Sequence, residues 1–139
     1  MTRFVIDAST LVSGAVGPYG KSPPRLIYDQ LTEARFEFIV CPKLLAEVAR
    51  ALRKPYFRDR VTGQEADEIV AGIRATAILR DDPATIEPVL RDTSDDCLVA
   101  LAREGGADAI VTSDKDLLEQ ADLAPPAITP RVACERLGL

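Results

Sequence analysis

A chain of 139 residues suits one domain with one core, and 47% hydrophobic with 28% charged residues is ordinary for a globular protein. The net charge of −5 speaks against a surface that binds polyanions everywhere. Histidine is absent, which excludes Ser-His-Asp triads and imidazole metal sites, so any hydrolytic chemistry must rest mainly on carboxylates.

No apolar run reaches the length of a membrane span. Met1-Thr2-Arg3 leads straight into a strand, so no signal peptide is expected. Cys41, Cys97 and Cys134 are odd in number and widely spaced, without a CxxC pair. That pattern fits buried thiols in a reducing cytoplasm better than disulfides or zinc.

Phe4-Val5-Ile6 is a short apolar run ending in Asp7, as in a strand buried on both faces of a parallel sheet. In such sheets ligands bind beyond the carboxyl ends of the strands, where Asp7 stands. Taken alone, Asp7 is more simply read as a cap for the helical turn that follows. That turn dissolves into a Gly/Pro loop by Gly20, and Ser22-Pro23-Pro24 starts a helix that runs to about Glu33. Residues 36–40 read as a second strand. Pro42 then opens a helix with Leu44, Leu45, Val48, Ala51 and Leu52 on one side and Glu47 at the flank of that stripe.

Arg50, Arg53, Lys54 and Arg58 form a basic cluster after Glu47, with Arg60 close behind. It either grips phosphates or solvates a helix end. Thr62 and Glu65 make a capping box for a helix reaching about Ala77, and residues 77–79 turn strand-like. Residues 85–90 give no clear pattern. A helix then starts within residues 92–96 and ends at Gly105-Gly106. Residues 109–112 form another strand that runs into Ser113-Asp114-Lys115-Asp116. A short helix to about Gln120, a strand at 127–129 and a helix opened by Pro130 complete the chain.

Strands alternate with helices throughout, so the fold class is α/β, with a mainly parallel sheet in one domain over residues 1–139. Right-handed crossovers bring all strand ends and helix starts to one edge. Asp7, Glu47, Asp96 and Asp114 would converge there. Converging carboxylates repel unless a cation offsets them, and oxygen donors alone select Mg²⁺ or Mn²⁺. Such ions lower the pKa of water and clamp the oxygens of a phosphodiester, with no need of histidine. Singly, each acid could merely cap or face solvent; together they point to metal binding. Ser9 and Thr112 could orient a ligand or a phosphate. Asp92, Asp95 and Asp116 read as supporting or capping residues, Asp116 the most important of them.

Val5-Ile6-Asp7-Ala8-Ser9, Pro42-x4-Glu47, Asp96-Cys-Leu-Val-Ala-Leu-Ala102 and Ile110-Val-Thr-Ser-Asp114-Lys-Asp116-Leu together resemble the PIN-domain family. Within it the chain is similar to the VapC-type toxin ribonucleases of toxin–antitoxin pairs. Ser22-Pro-Pro and the Leu-Arg-Lys-Pro that follows Glu47 look like one branch of those toxins. The resemblance implies a three-layer α/β/α sandwich and a Mg²⁺- or Mn²⁺-dependent endoribonuclease acting on RNA. It further implies a homodimer, inhibited by a small antitoxin that enters the active-site groove. The family's acidic residues carry over to Asp7, Glu47, Asp96 and Asp114.

Three rivals stand beside this reading. A haloacid-dehalogenase-type phosphatase needs a second Asp where Ser9 stands. A receiver domain needs an acidic pair at the first strand end, where only Asp7 is present, and Lys115 is thin support for it. A PIN-like scaffold could bind RNA or protein without cutting.

Overall fold

The computed structural model describes residues 1–17, 20–57, 59–88 and 95–139. The chain runs β1 (Arg3–Ile6), α1 (Ala8–Val16), α2 (Pro23–Asp29), β2 (Glu37–Val40), α3 (Pro42–Leu52), a 3₁₀ turn (Pro55–Phe57) and α4 (Gly63–Thr76). It continues through β3 (Ile78–Leu79), α5 (Asp96–Gly105), β4 (Ala109–Val111), α6 (Lys115–Leu118), β5 (Ala127–Ile128) and α7 (Pro130–Leu137).

The five strands form one parallel sheet in the order β3-β2-β1-β4-β5. Phe4, Val5 and Ile6 are at most 1% exposed because β1 is central and covered on both faces. Burying side chains of that size contributes roughly 1.5–3 kcal/mol each. Phe4, Phe36 and Phe38 extend this core as tilted neighbours, with centroids 5.5 and 6.1 Å apart.

Helices flank the sheet as a three-layer α/β/α sandwich. α1 packs on α2 and α3, α2 on α7, and α3 on α4. α5 lies across β1, β2 and β4. The order of strands reverses at β1, since the chain first moves to β2 and β3 and then returns to β4. That reversal opens a crevice beyond the ends of β1 and β4.

Local chemistry sets the element ends. Thr62 and Glu65 form the reciprocal capping box, and Thr129 caps α7 by accepting from Val132 N. Gly106 closes α5 in the left-handed region at φ 67°, a conformation that favours glycine. The second helix stops at Asp29, sooner than its apolar stripe suggests, and gives way to turns through Ala34 at φ 55°. The start of α5 was expected within residues 92–96, of which 92–94 lie outside the described residues; the helix begins at Asp96. No helix among the described residues is long and apolar enough to cross a membrane.

Candidate functional site

Asp7 is the last residue before α1, in extended backbone at the end of β1, and only 8% exposed. Its carboxylate serves two elements at once. Oδ1 accepts from Thr10 N at 2.8 Å and from Ser9 Oγ at 3.4 Å. Oδ2 accepts from the hydroxyl of Thr112, which follows β4 and is fully buried. Thr112 Oγ1 in turn accepts from Asp114 N at 3.0 Å. Asp114 caps α6, its Oδ1 accepting from Asp116 N at 2.9 Å. One hydroxyl thus ties the ends of two neighbouring parallel strands together. Asp7 is therefore both a helix cap and a cavity residue; the two roles do not compete.

Beyond these strand ends lies a cavity of about 450 Å³. Asp7, Glu47, Asp95 and Asp114 line it, with Ala8, Ser9, Lys43 and Ser113 at the rim and Cys41, Leu44, Cys97, Leu98 and Leu101 as its apolar wall. Glu47 comes from the second turn of α3 and is half-buried. Burial pushes the Asp95 carboxyl up to about 7, and a hydrogen bond shared with Asp114 adds to this. The charges of Asp114, Asp7 and Glu47 act in the same direction. Desolvation in a half-apolar pocket is the main cause, and the neighbouring carboxylates reinforce it.

Of the four expected acids, the structure brings three together. Asp96 is placed elsewhere. It is 2% exposed and lines a separate cleft of about 210 Å³ with Thr85, Glu87, Val99, Ala100, Arg103 and Glu104. Helical spacing explains the difference. Residues 96, 99, 100 and 103 form one stripe of α5, while Cys97, Leu98 and Leu101 form the stripe facing the acidic cavity. Asp95, placed by its sequence among the capping residues, precedes the helix and makes no side-chain cap. It reaches the cavity instead.

The remaining candidates are spread out. Ser9 lies on the cavity rim, and Thr112 sits behind Asp7. Asp116 contributes only its backbone N–H to Asp114. Arg50, Arg53 and Lys54 are exposed at the far end of α3 and do not line the cavity; Arg53 pairs with Asp67. Arg58 lies outside the described residues. Beside them Tyr56 is 72% exposed, with the Arg60 guanidinium 5.5 Å from its ring centroid. Cys41 has its thiol pushed up to about 11, chiefly by burial, and Cys97 is raised for the same reason. Neutral thiols of this kind are wall, not ligands.

The donor set is the test of a metal. Asp7, Glu47, Asp95 and Asp114 offer oxygen only, which suits Mg²⁺ or Mn²⁺ and excludes a soft-metal site. Among the described residues no three acidic or thiol side chains already close into a ligand set. An ion would have to draw the carboxylates in.

Comparison with known families gives a match to the PIN domain over residues 3–116, most of the chain. The chain belongs to the PIN-domain family. PIN domains are nucleases, usually metal-dependent. Among solved structures, this PIN domain is similar to the crystal structure of PAE2754 from Pyrobaculum aerophilum. The two share 20% identity and a TM-score of 0.66, over 99% of this chain and 90% of the other. At that identity the likeness is one of fold. No curated protein matches the chain.

Proposed function

We propose that this PIN domain is a divalent-cation-dependent endoribonuclease, the toxin of a toxin–antitoxin pair. One observation carries the reading: four carboxylates from four separate elements line one cavity at the topological switch of the sheet, with no histidine anywhere in the chain. Asp7, Glu47, Asp95 and Asp114 would hold Mg²⁺ or Mn²⁺. An ion in that place lowers the pKa of water and offsets charge on the attacking and leaving oxygens of a phosphodiester.

The chain's own residues do the rest. Thr112 holds the Asp7 carboxylate in place through Oδ2, and Ser9 and Thr10 hold it through Oδ1. Leu44, Leu98 and Leu101 lower the local dielectric, which strengthens every charge interaction in the cavity. Ser113 is exposed at the rim, where its hydroxyl can donate to a phosphate, whereas Ser9 beside it gives its proton to Asp7. Arg50, Arg53 and Lys54 would grip the strand further out, along α3 and past its end, and by sequence Arg58 belongs to the same basic cluster.

RNA as substrate, the homodimer and a small inhibitory antitoxin rest on the ordered set of motifs shared with toxin-type PIN ribonucleases. A cytoplasmic setting accords with three buried free cysteines.

Cleavage of an end-labelled single-stranded RNA in Mn²⁺ tests the proposal. Wild-type protein should cut, and Asp7→Asn should not, although asparagine still caps α1 and the fold should survive. Equal cleavage by the two proteins would remove the site. Mn²⁺ binding without cleavage of RNA would favour a PIN scaffold that binds without cutting.

A further inference from the structure

Among the described residues, Lys43 is the one cation lining the acidic cavity. It occupies the second position of α3, one turn before Glu47, so the two side chains share a face of the helix. That is a poor place for a positive charge, because a helix N-terminus already carries about half a unit of positive charge. The first turn of α3 contains no acid of its own. Its capping carboxylate arrives from Asp82, in the loop after β3, which accepts from Lys43 N at 2.8 Å.

The bland reading is a solvated lysine paired with Glu47 at helical spacing. Lysine ahead of glutamate is the weaker order for such a pair, worth at most a few tenths of a kcal/mol. In the structure Lys43 is exposed and enters none of the three ion pairs found among the described residues. Its charge is felt inside the cavity wall, where it opposes the effect of burial on the Cys97 thiol.

Charge balance gives this lysine a task. A phosphodiester brings a negative charge to a pocket of four carboxylates. Two divalent ions would only neutralise those carboxylates, and Lys43 would then make the loaded cavity net positive. With one ion, Lys43 halves the negative charge that remains. The other cations of α3 stand further along the helix; Arg53 is roughly 15 Å from Lys43 at 1.5 Å per residue.

We propose that Lys43 is a substrate-binding residue whose ammonium takes a non-bridging phosphate oxygen of the RNA strand at the cavity mouth. The proposal rests on the ribonuclease reading above. A phosphate contact carries no base information, so its loss should weaken all sequences alike and lower the salt dependence.

The experiment compares wild type, Lys43→Gln and Lys43→Arg on two unrelated single-stranded RNAs across a salt series in Mn²⁺. Lys43→Gln should raise KM on both RNAs about tenfold, with a smaller change in kcat. Its plot of log(kcat/KM) against log salt should be shallower by about 0.7, the value for one contact to a single strand. Lys43→Arg should recover most of both effects. Mn²⁺ affinity by calorimetry should hold or rise in Lys43→Gln, since a repelling cation has gone. An unchanged salt slope in Lys43→Gln, with wild type cleaving normally, overturns the lysine and leaves the ribonuclease standing. Wild-type protein that cleaves neither RNA overturns the ribonuclease reading itself, and the lysine's role with it.

Discussion

Thr112 has no freedom left in its hydroxyl. The proton goes to Asp7 and a lone pair takes the Asp114 amide, and the threonine itself is fully buried. Thr112→Val keeps the shape and leaves both partners short of a hydrogen bond. The expected cost is about 1.5–3 kcal/mol, as for bonds to charged groups, together with weaker cleavage. Thr112→Ser should restore most of both, and melting curves beside the RNA assay check it. Asp95 makes a second prediction at this scale. Its carboxyl, ordinarily near 3.8, is held at about 7 in the folded chain. The folded state therefore keeps a proton that the unfolded state gives up. Stability of the metal-free protein should fall as pH rises from about 4 to about 7. Denaturation in EDTA across that range should show the fall in wild type and lose it in Asp95→Asn.

At the scale of elements, the legible features were those with a short local cause. Phe4-Val5-Ile6 needs only a run of apolar residues to be a buried strand, and Thr62 with Glu65 needs only four residues to be a cap. Strand ends and helix starts then put Asp7, Glu47 and Asp114 in one region. Asp95 and Asp96 were not separable in this way. Each residue turns a helix by 100°, so the choice between them depends on where α5 begins, and an end is uncertain by a residue or two. The cap that Asp82 gives α3 was hidden for a different reason: it crosses 39 residues of sequence. The packing of α1 on α2 was equally invisible, and it turns on Gly14. A methyl group there would lie 2.6 Å from the Pro24 carbonyl oxygen and 2.7 Å from Tyr28 Cβ. Gly14→Ala should push the helices apart and cost about 1–3 kcal/mol, read as a lower denaturation midpoint with an unchanged slope.

For the whole molecule, a charge of −5 would hinder an enzyme of RNA unless cations gather at the site. On the proposed reading, the acids collected from β1, α3, the start of α5 and the end of β4 at one edge of the sheet would draw them in. Folding then carries an electrostatic cost that a bound divalent ion would remove, so ion binding and stability should be linked. Mn²⁺ at a hundred times its Kd should stabilise the protein by about 2.7 kcal/mol. Titration calorimetry of Mn²⁺ into wild type, Asp95→Asn and Asp96→Asn tests the site most directly. We predict binding by wild type, its loss or marked weakening in Asp95→Asn, and near-normal affinity in Asp96→Asn wherever that variant folds. No heat of binding in wild type, or loss of binding in folded Asp96→Asn with Asp95→Asn intact, would contradict the account.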